Sequence, residues 1–159
     1  MSAPLLQARS ATLADASQLL ALMADFYAEE HLVFDENAAL RALRELLAKP
    51  DLGTVLIFES AGAIAGYAIV TFGFSVEFHG RLALLDEFYL LPARRGRGLG
   101  RQGLDLIAAW ARATGVTTLR LEVNRTNSRA RTLYQQAGFR DEQRDLFTQW
   151  LHQPNPASS

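Results

Sequence analysis

A loop rich in glycine and arginine joins a strand-like segment to a helix-like segment in the second half of the sequence. Residues 82–91 have the composition of a strand that Pro92 ends, and apolar residues recur at helical spacing from Leu99 until Gly115. The intervening residues 92–101 contain three glycines and four arginines. Such a junction exposes the unpaired N–H groups at the start of a helix, where the helix dipole is positive. The loop therefore predicts a binding site for a phosphate or pyrophosphate group.

Two common nucleotide-binding loops fit this segment poorly. A Walker A loop requires a lysine after its glycines, and none follows here. The dinucleotide pattern Gly-x-Gly-x-x-Gly is matched by Gly98, Gly100 and Gly103, with Glu122 19 residues further on. That pattern normally begins at the end of the strand, whereas residues 92–97 intervene here and only 56 residues follow Gly103. The remaining chain is too short for a full doubly wound sheet, which disfavours the dinucleotide interpretation.

Hydrophobic periodicity along the chain predicts a mixed α/β domain. Thr12-Leu13-Ala14-Asp15 has the form of a capping box, and Asp35 is placed to cap a second helix that ends before Pro50. Two later helices are predicted, and strands are predicted at residues 5–9, 54–59, 64–74, 82–91, 117–123 and 139–151. We expect a single domain over residues 1–152, with about six or seven strands and about four helices. Residues 153–159 are expected to form a flexible tail.

Composition excludes several classes of function. The chain has 49% hydrophobic residues and a net charge of −1, which argues against a disordered chain and against a dedicated nucleic-acid binder. It has no cysteine, so disulfides, thiolate metal sites and a cysteine nucleophile are excluded. The three histidines are far apart, and we expect no metal site. The longest uncharged stretch has 17 residues, fewer than the roughly 20 of a membrane helix, and no signal peptide is visible.

The charge is distributed unevenly along the sequence. Residues 1–80 carry 4 basic and 10 acidic side chains, whereas residues 81–159 carry 12 basic and 7 acidic ones. All of the basic residues in the second half are arginines, which suit phosphate groups. The asymmetry is typical either of two solvated faces of opposite sign or of a polyanionic ligand on the second half and a cationic one on the first.

Three motifs resemble the GNAT superfamily of N-acetyltransferases. Arg95-x-x-Gly98-x-Gly100 matches the family's Gln/Arg-x-x-Gly-x-Gly/Ala motif, and the preceding residues 85–92 are similar to its fourth strand. Residues 121–124, followed by the pattern Asn-x-x-Ala-x-x-x-Tyr-x-x-x-Gly-Phe over residues 127–139, look like its next strand and helix. The resemblance covers roughly residues 4–151 and implies a mostly antiparallel sheet in which the fourth and fifth strands splay apart.

The resemblance implies acetyl-CoA as the acyl-donor cosubstrate. In this family the cofactor enters where the two strands splay, its pantetheine arm pairs with the fourth strand, and its pyrophosphate lies on the loop. The implied cofactor-binding residues are Phe88, Tyr89, Leu90, Arg95, Gly96, Arg97, Gly98, Leu99, Gly100, Arg101 and Asn127.

The resemblance also assigns the catalytic roles. The N–H of Leu90 would polarise the thioester carbonyl, and Tyr134 would protonate the departing thiolate. The acceptor amine must lose a proton before it attacks, and Asp86 or Glu87 would accept that proton. Because the two carboxylates are adjacent on a strand, we expect them to point to opposite faces, and the sequence does not decide between them. Transfer would be direct, since the chain offers no pattern for a covalent acyl-enzyme.

The expected acceptor is a small and cationic amine. The candidate acceptor-binding residues are acidic, and they are Glu29, Glu30, Asp35 and Glu77. Two alternatives stay open, namely acetylation of a protein or peptide and a non-catalytic acyl-CoA-binding module of the same fold. We expect a cytoplasmic enzyme without nucleic-acid or membrane partners. Many members of the superfamily are homodimers, and the sequence does not fix the oligomeric state.

Overall fold

The computed structural model describes residues 4–152; residues 1–3 and 153–159, which include the predicted tail, lie outside the described residues. The described chain alternates between one sheet and the helices that cover it. Its strands are β1 (Gln7–Ser10), β2 (Gly53–Ser60), β3 (Ala63–Ser75), β4 (Gly80–Leu90) and β5 (Leu119–Leu121). Its helices are α1 (Ala16–Glu29), α2 (Glu36–Ala48), α3 (Leu99–Ala113) and α4 (Ser128–Gln136).

The sheet has the order β1-β2-β3-β4-β5. The first four strands pair antiparallel as a meander, and β5 pairs parallel with β4 after the crossover through α3. Five strands are therefore present among residues 4–152, fewer than the six or seven predicted. The predicted strand at residues 139–151 is wrong, because that segment pairs with no strand of the described chain and lies exposed.

Two apolar cores lie on the two faces of the sheet. On one face, Leu104 and Ile107 of α3 pack against the inner strands, and on the other face Leu19 of α1 and Leu43 of α2 do so. The three central strands are thus covered on both sides, which accounts for their nearly continuous apolar sequence. Gly103 permits close packing of α3 on the sheet, because a Cβ there would lie 2.9 Å from the ring of Phe88.

A buried carboxylate fixes the start of the first helical segment. Asp15 accepts a hydrogen bond from the N–H of Thr12 at 2.8 Å, as the predicted capping box requires, and it also accepts two from Arg9 at 2.9 and 3.0 Å. The hydrogen bonds from Arg9 are the main cause that lowers the pKa of Asp15 to about 2. Leu13, which follows the cap, lies in a 3-10 turn and is exposed.

Asp15→Asn is expected to lower the free energy of unfolding at pH 7 by about 1 kcal/mol, since Arg9 is partly exposed and water screens the pair. Because folding lowers the pKa of Asp15, its contribution is present above pH 4 and is lost as the pH falls towards 2. Urea unfolding at pH 7 and pH 2.5 measures both effects. Asp105→Asn, which removes an exposed pair with Arg101, is the control and should change stability by less than about 0.5 kcal/mol. An equal loss for both variants would contradict the assignment.

Candidate active site

Strand β5 is hydrogen-bonded to β4 only along the first half of β4. Strand β5 pairs only with Ala83, Leu84 and Leu85, and it is shorter than the predicted residues 117–123. Beyond Leu85, β4 continues to Leu90 with β3 as its only partner in the described sheet. The N–H of Leu91 donates to Ala65 across β3 at 2.9 Å, so the N–H of the preceding Leu90 points to the opposite, open side. An extended ligand arm can pair with β4 at this opening.

The glycine loop, residues 92–101, places the start of α3 at the same end of β4. Gly98 is the N-cap of α3 with φ 76°, and Gly96 has φ 77°, a backbone region that favours glycine. No atom of the described residues outside their chain neighbours lies within 4 Å of a Cβ built at either glycine. The space beside Gly96 and Gly98, here called the cradle, is therefore open, at the end of α3 where the first N–H groups have no partner within the helix. These residues fit a pyrophosphate group.

Two of the loop arginines are engaged with the protein itself. Arg95 forms a bidentate pair with Glu29 at the end of α1, at 2.5 and 2.7 Å, and its Nε donates to the carbonyl of Leu90 at 2.9 Å. Arg101 donates to Asp105 and to the carbonyl of Gln136 in α4. The loop is thereby tied to the helices on both sides of the opening. Arg97 is exposed on the loop.

A β-bulge in β4 lies at the two candidate carboxylates. Val70 of β3 faces Leu85 and Ile69 faces Glu87, so Asp86 is the extra residue. Leu85 belongs to the core on the α3 face, whereas Glu87 is held on the α1 face. The bulge interrupts the regular alternation of side chains at Asp86, so the rule that separates neighbouring side chains on a strand does not apply to this pair.

Glu87 is a buried carboxylate with two phenol donors. Tyr27 donates to it at 2.5 Å and Tyr67 at 2.8 Å, and only 7% of Glu87 is exposed. Burial raises the pKa of Glu87 above its ordinary value, and the two phenol hydrogen bonds oppose that rise. Both carboxylate oxygens are thus occupied, and the group is poorly placed to meet an acceptor.

Asp86, unlike Glu87, is accessible to solvent. It is solvent-exposed at the bulge, and no hydrogen bond to its carboxylate is found within residues 4–152. The protein around it removes enough water to raise the pKa of Asp86 above its ordinary value. An accessible carboxylate with a raised pKa has the properties of a general base.

Helix α4 carries Tyr134, and Asn127 is its N-cap. Leu133 packs against Gly100, because a Cβ at that glycine would lie 3.1 Å from the Leu133 side chain. Tyr134 is half-buried beside Phe139, and its hydroxyl makes no hydrogen bond to any described residue. Burial, and secondarily the charge of Glu30, raises the pKa of Tyr134. Asn127 caps α4 by accepting from the N–H of Ala130 at 3.1 Å.

The predicted acidic cluster is dispersed in the structure. Glu29 is paired with Arg95, and Asp35 caps α2 by accepting from Ala38 at 2.9 Å. Glu77 pairs with Arg144 at the β3–β4 hairpin, at the opposite end of β4 from the opening, roughly 30 Å away at the rise of a strand. Glu77 therefore lies apart from the other three acidic residues, and its role in acceptor binding stays a prediction. Glu30 has no ion-pair partner in the described part of the chain.

Sequence reasoning missed the side chains that organise the two carboxylates. Tyr27 and Tyr67 are not among the predicted site residues, yet they donate hydrogen bonds to Glu87. The bulge itself left a signal, because the residues of β4 that face the α3 core have odd numbers through Leu85 and even numbers from Phe88. That change of phase requires one extra residue between them.

The Acetyltransferase (GNAT) family model matches residues 18–139 of this chain. The chain belongs to the GNAT family. This GNAT chain is 28% identical over 148 residues to the thialysine N-epsilon-acetyltransferase of Mus musculus, covering 85% of this chain and 82% of the relative. The family prediction is confirmed, and the chain is an N-acetyltransferase with acetyl-CoA as its cosubstrate.

Solved structures carry the same fold. An integron cassette protein from the mobile metagenome of Cole Harbour Salt Marsh superposes on this GNAT chain with a TM-score of 0.82 at 34% identity, covering 93% of this chain and 92% of that one. An aminoglycoside N-acetyltransferase in complex with CoA does so with a TM-score of 0.80 at 18% identity, covering 95% and 98%. At that identity the second likeness concerns the fold alone.

Over residues 4–152, no helix combines the length and the apolar character needed to cross a bilayer. Within the same residues, no three acidic or histidine side chains come together as a metal site would require.

Gly98→Val is expected to weaken acetyl-CoA binding to this GNAT enzyme by about tenfold to a hundredfold, since hydrogen bonds to a charged group contribute about 1.5–3 kcal/mol each. The valine side chain would occupy the cradle in front of α3. Gly115→Val is the matched control, because Gly115 also has a positive φ and open space, at the far end of the same helix. Isothermal titration should show the loss only for Gly98→Val. Equal affinities of the two variants would exclude the loop as the pyrophosphate site.

Proposed function

We propose that the enzyme transfers the acetyl group of acetyl-CoA directly to a primary amine of a small cationic acceptor. The observation that carries this proposal is the bulge in β4 at Asp86, an exposed carboxylate at the start of the part of β4 that has no β5 partner. One strand and the loop that follows it then carry three features, namely a carboxylate base, a strand end without a partner and an anion cradle.

Asp86 is the proposed base. Its carboxylate is exposed and its pKa is raised, whereas Glu87 is buried and occupied by two tyrosines. In this proposal Glu87 supports the wall of the acceptor site by anchoring Tyr27 of α1 to β4. The amine loses its proton to Asp86, either directly or through a water, and then attacks.

Leu90 and Tyr134 are the proposed partners of the acyl donor. Acetyl-CoA supplies an activated acetyl group when bound. The N–H of Leu90, directed into the opening, is placed to donate to a carbonyl oxygen that gains negative charge. Arg95 fixes this part of the backbone by binding the Leu90 carbonyl and Glu29 together. The unengaged hydroxyl of Tyr134 is the proposed proton donor to the departing thiolate.

Carboxylates on the α1 side favour a cationic acceptor. Asp25, Glu30 and Asp86 have no ion-pair partner in the described part of the chain. Burial raises the pKa of Tyr89 and of Tyr134, and the charges of Asp25 and Glu30, respectively, add to that rise. A second positive group on the acceptor would be attracted to the same region.

A thiol-release assay tests the proposal. The purified protein is supplied with acetyl-CoA and, separately, with thialysine, with neamine and with a short peptide bearing a free N-terminus. Saturable release of CoA with one of the two small cations, and acetylation of its amine in the mass spectrum, is the expected result. Faster turnover of the peptide would overturn the small-acceptor assignment, and acetyl-CoA binding without turnover of any of the three would overturn the proposal.

A further inference from the structure

Arg95 in the glycine loop uses all three nitrogens of its guanidinium on the protein. The two terminal nitrogens donate to the two carboxylate oxygens of Glu29 at 2.5 and 2.7 Å, and Nε donates to the carbonyl of Leu90 at 2.9 Å. The guanidinium carbon also lies 5.3 Å from the ring centroid of Tyr89. Glu29 is the last residue of α1, where the negative end of the helix dipole favours a cation. Arg95 therefore joins the end of α1 to the end of β4.

The Leu90 carbonyl that Arg95 binds lies beside the proposed oxyanion donor. In an antiparallel strand, the N–H and the C=O of one residue point to the same side. The N–H of Leu91 points towards β3, where it donates to Ala65, so both polar groups of Leu90 point to the open side. Without the donor from Arg95, the carbonyl would present its lone pairs next to the N–H. An acyl oxygen that gains negative charge would be repelled there.

A bound pyrophosphate would compete with Leu90 for Arg95. The cradle beside Gly96 and Gly98 begins one residue after Arg95, and arginine binds phosphate oxygens well. The Arg95 side chain is 29% exposed, so packing alone does not hold it in place. The bidentate pair with Glu29 does hold it. Ion pairs this accessible contribute little to stability, so the effect of Glu29 lies in where it keeps the guanidinium.

We infer that Glu29 is a positioning residue for acetyl transfer, which keeps Arg95 on the Leu90 carbonyl and away from the pyrophosphate. The inference rests on the proposed role of the Leu90 N–H and deepens it. It gives Glu29 a role on the acetyl-CoA side of the site in place of the predicted acceptor binding. The two roles differ in what they change. Loss of an acceptor ligand raises KM for the amine, whereas loss of the positioning residue slows the transfer step.

Glu29→Gln separates these roles, because glutamine keeps the size of the side chain and loses its charge. At saturating thialysine or neamine, the single-turnover rate of acetyl transfer should fall by about tenfold to a hundredfold, less than the loss of about 10²–10³ when an oxyanion donor is removed. CoA should bind about twofold to fivefold more tightly in isothermal titration, because Arg95 becomes free to bind its phosphates. Glu45→Gln, which removes an exposed pair with Lys49, is the control and should change neither quantity. An unchanged rate of transfer, or weaker binding of CoA, would overturn the inference.

The Arg95→Ala background tests whether Glu29 acts through Arg95. A residue that acts only through another has no effect once the other is removed. In this background Glu29→Gln should therefore change neither the transfer rate nor the affinity for CoA. A direct contact between Glu29 and the acceptor would survive the removal of Arg95, so a defect of the same size in both backgrounds would overturn the inference.

Infrared spectroscopy of bound acetyl-CoA gives a readout that needs no amine. With an isotope-labelled acetyl carbonyl, the hydrogen bond from the Leu90 N–H should lower the carbonyl stretching frequency relative to that of free acetyl-CoA. Glu29→Gln should return the band towards the free frequency, and Glu45→Gln should not. A band that keeps its wild-type position in Glu29→Gln would overturn this inference alone. A wild-type band at the free frequency would overturn the proposed role of the Leu90 N–H itself.

Discussion

Asp86→Asn is expected to reduce kcat/KM for the acceptor amine by about 10²- to 10⁴-fold at pH 7, the range that a positioned general base contributes. The asparagine keeps the size of the side chain and cannot accept the proton. Acetyl-CoA affinity should be unchanged, because Asp86 lies at the start of the open part of β4, whereas the strand residues predicted to bind the cofactor are Phe88, Tyr89 and Leu90. Steady-state kinetics with the amine identified by thiol release, together with titration of acetyl-CoA, measures both quantities.

The pH profile distinguishes a base from a purely structural carboxylate. Because partial loss of hydration raises the pKa of Asp86, kcat/KM should climb with pH through a value above the ordinary one of 3.8. Protonation at lower pH removes the base, so activity falls there. This acid limb should disappear in Asp86→Asn, and the residual rate should follow only the deprotonation of the amine.

Glu87→Gln is the matched control for Asp86→Asn. It removes a neighbouring negative charge from the same bulge while keeping an oxygen that can accept a hydrogen bond from Tyr27 or Tyr67. We expect kcat/KM to fall less than about tenfold, with the acid limb retained. If Glu87→Gln abolished the limb and Asp86→Asn retained it, the roles of the two carboxylates would be reversed.

The local geometry of Asp86 and Glu87 could not be predicted from the sequence. Alternation along a regular strand separates neighbouring side chains, and nothing in the pair Asp86-Glu87 by itself announces a bulge. The order of the helices and the strands through β5 followed from local signals that do not depend on partners, such as the Asp35 cap and the end of β4 before Pro92. The bulge depends on the register between β3 and β4. Register is a property of two strands together and not of one segment.

The acidic side chains failed as predictors for a related reason. Glu29, Asp35 and Glu77 were grouped by charge alone, and each is engaged with a different group in the fold. An ion pair such as that of Glu29 with Arg95 joins residues 66 positions apart, so no local pattern reveals it. The strand predicted at residues 139–151 has the right composition for a strand, but no strand among residues 4–152 pairs with it.

Tyr134→Phe is expected to lower kcat by about 10²-fold and to leave acetyl-CoA affinity and thermal stability nearly unchanged. The phenylalanine ring preserves the packing against Phe139 and beside Leu133, and the removed hydroxyl has no hydrogen-bond partner among residues 4–152. The substitution therefore leaves no polar group without its hydrogen-bond partner, and the free energy of unfolding should be nearly unchanged.

The chemistry of the leaving group separates a proton donor from a packing residue. A thiolate that leaves needs a proton in proportion to its basicity, so the defect of Tyr134→Phe should shrink with an acetyl thioester of a more acidic thiol. Burial raises the pKa of Tyr134, which keeps the phenol protonated at neutral pH and available as a donor. Parallel kinetics with acetyl-CoA and with the activated thioester measures the difference. A defect of equal size with both donors, or none with acetyl-CoA, would remove Tyr134 as the acid and leave its ring as part of the core on the α3 face.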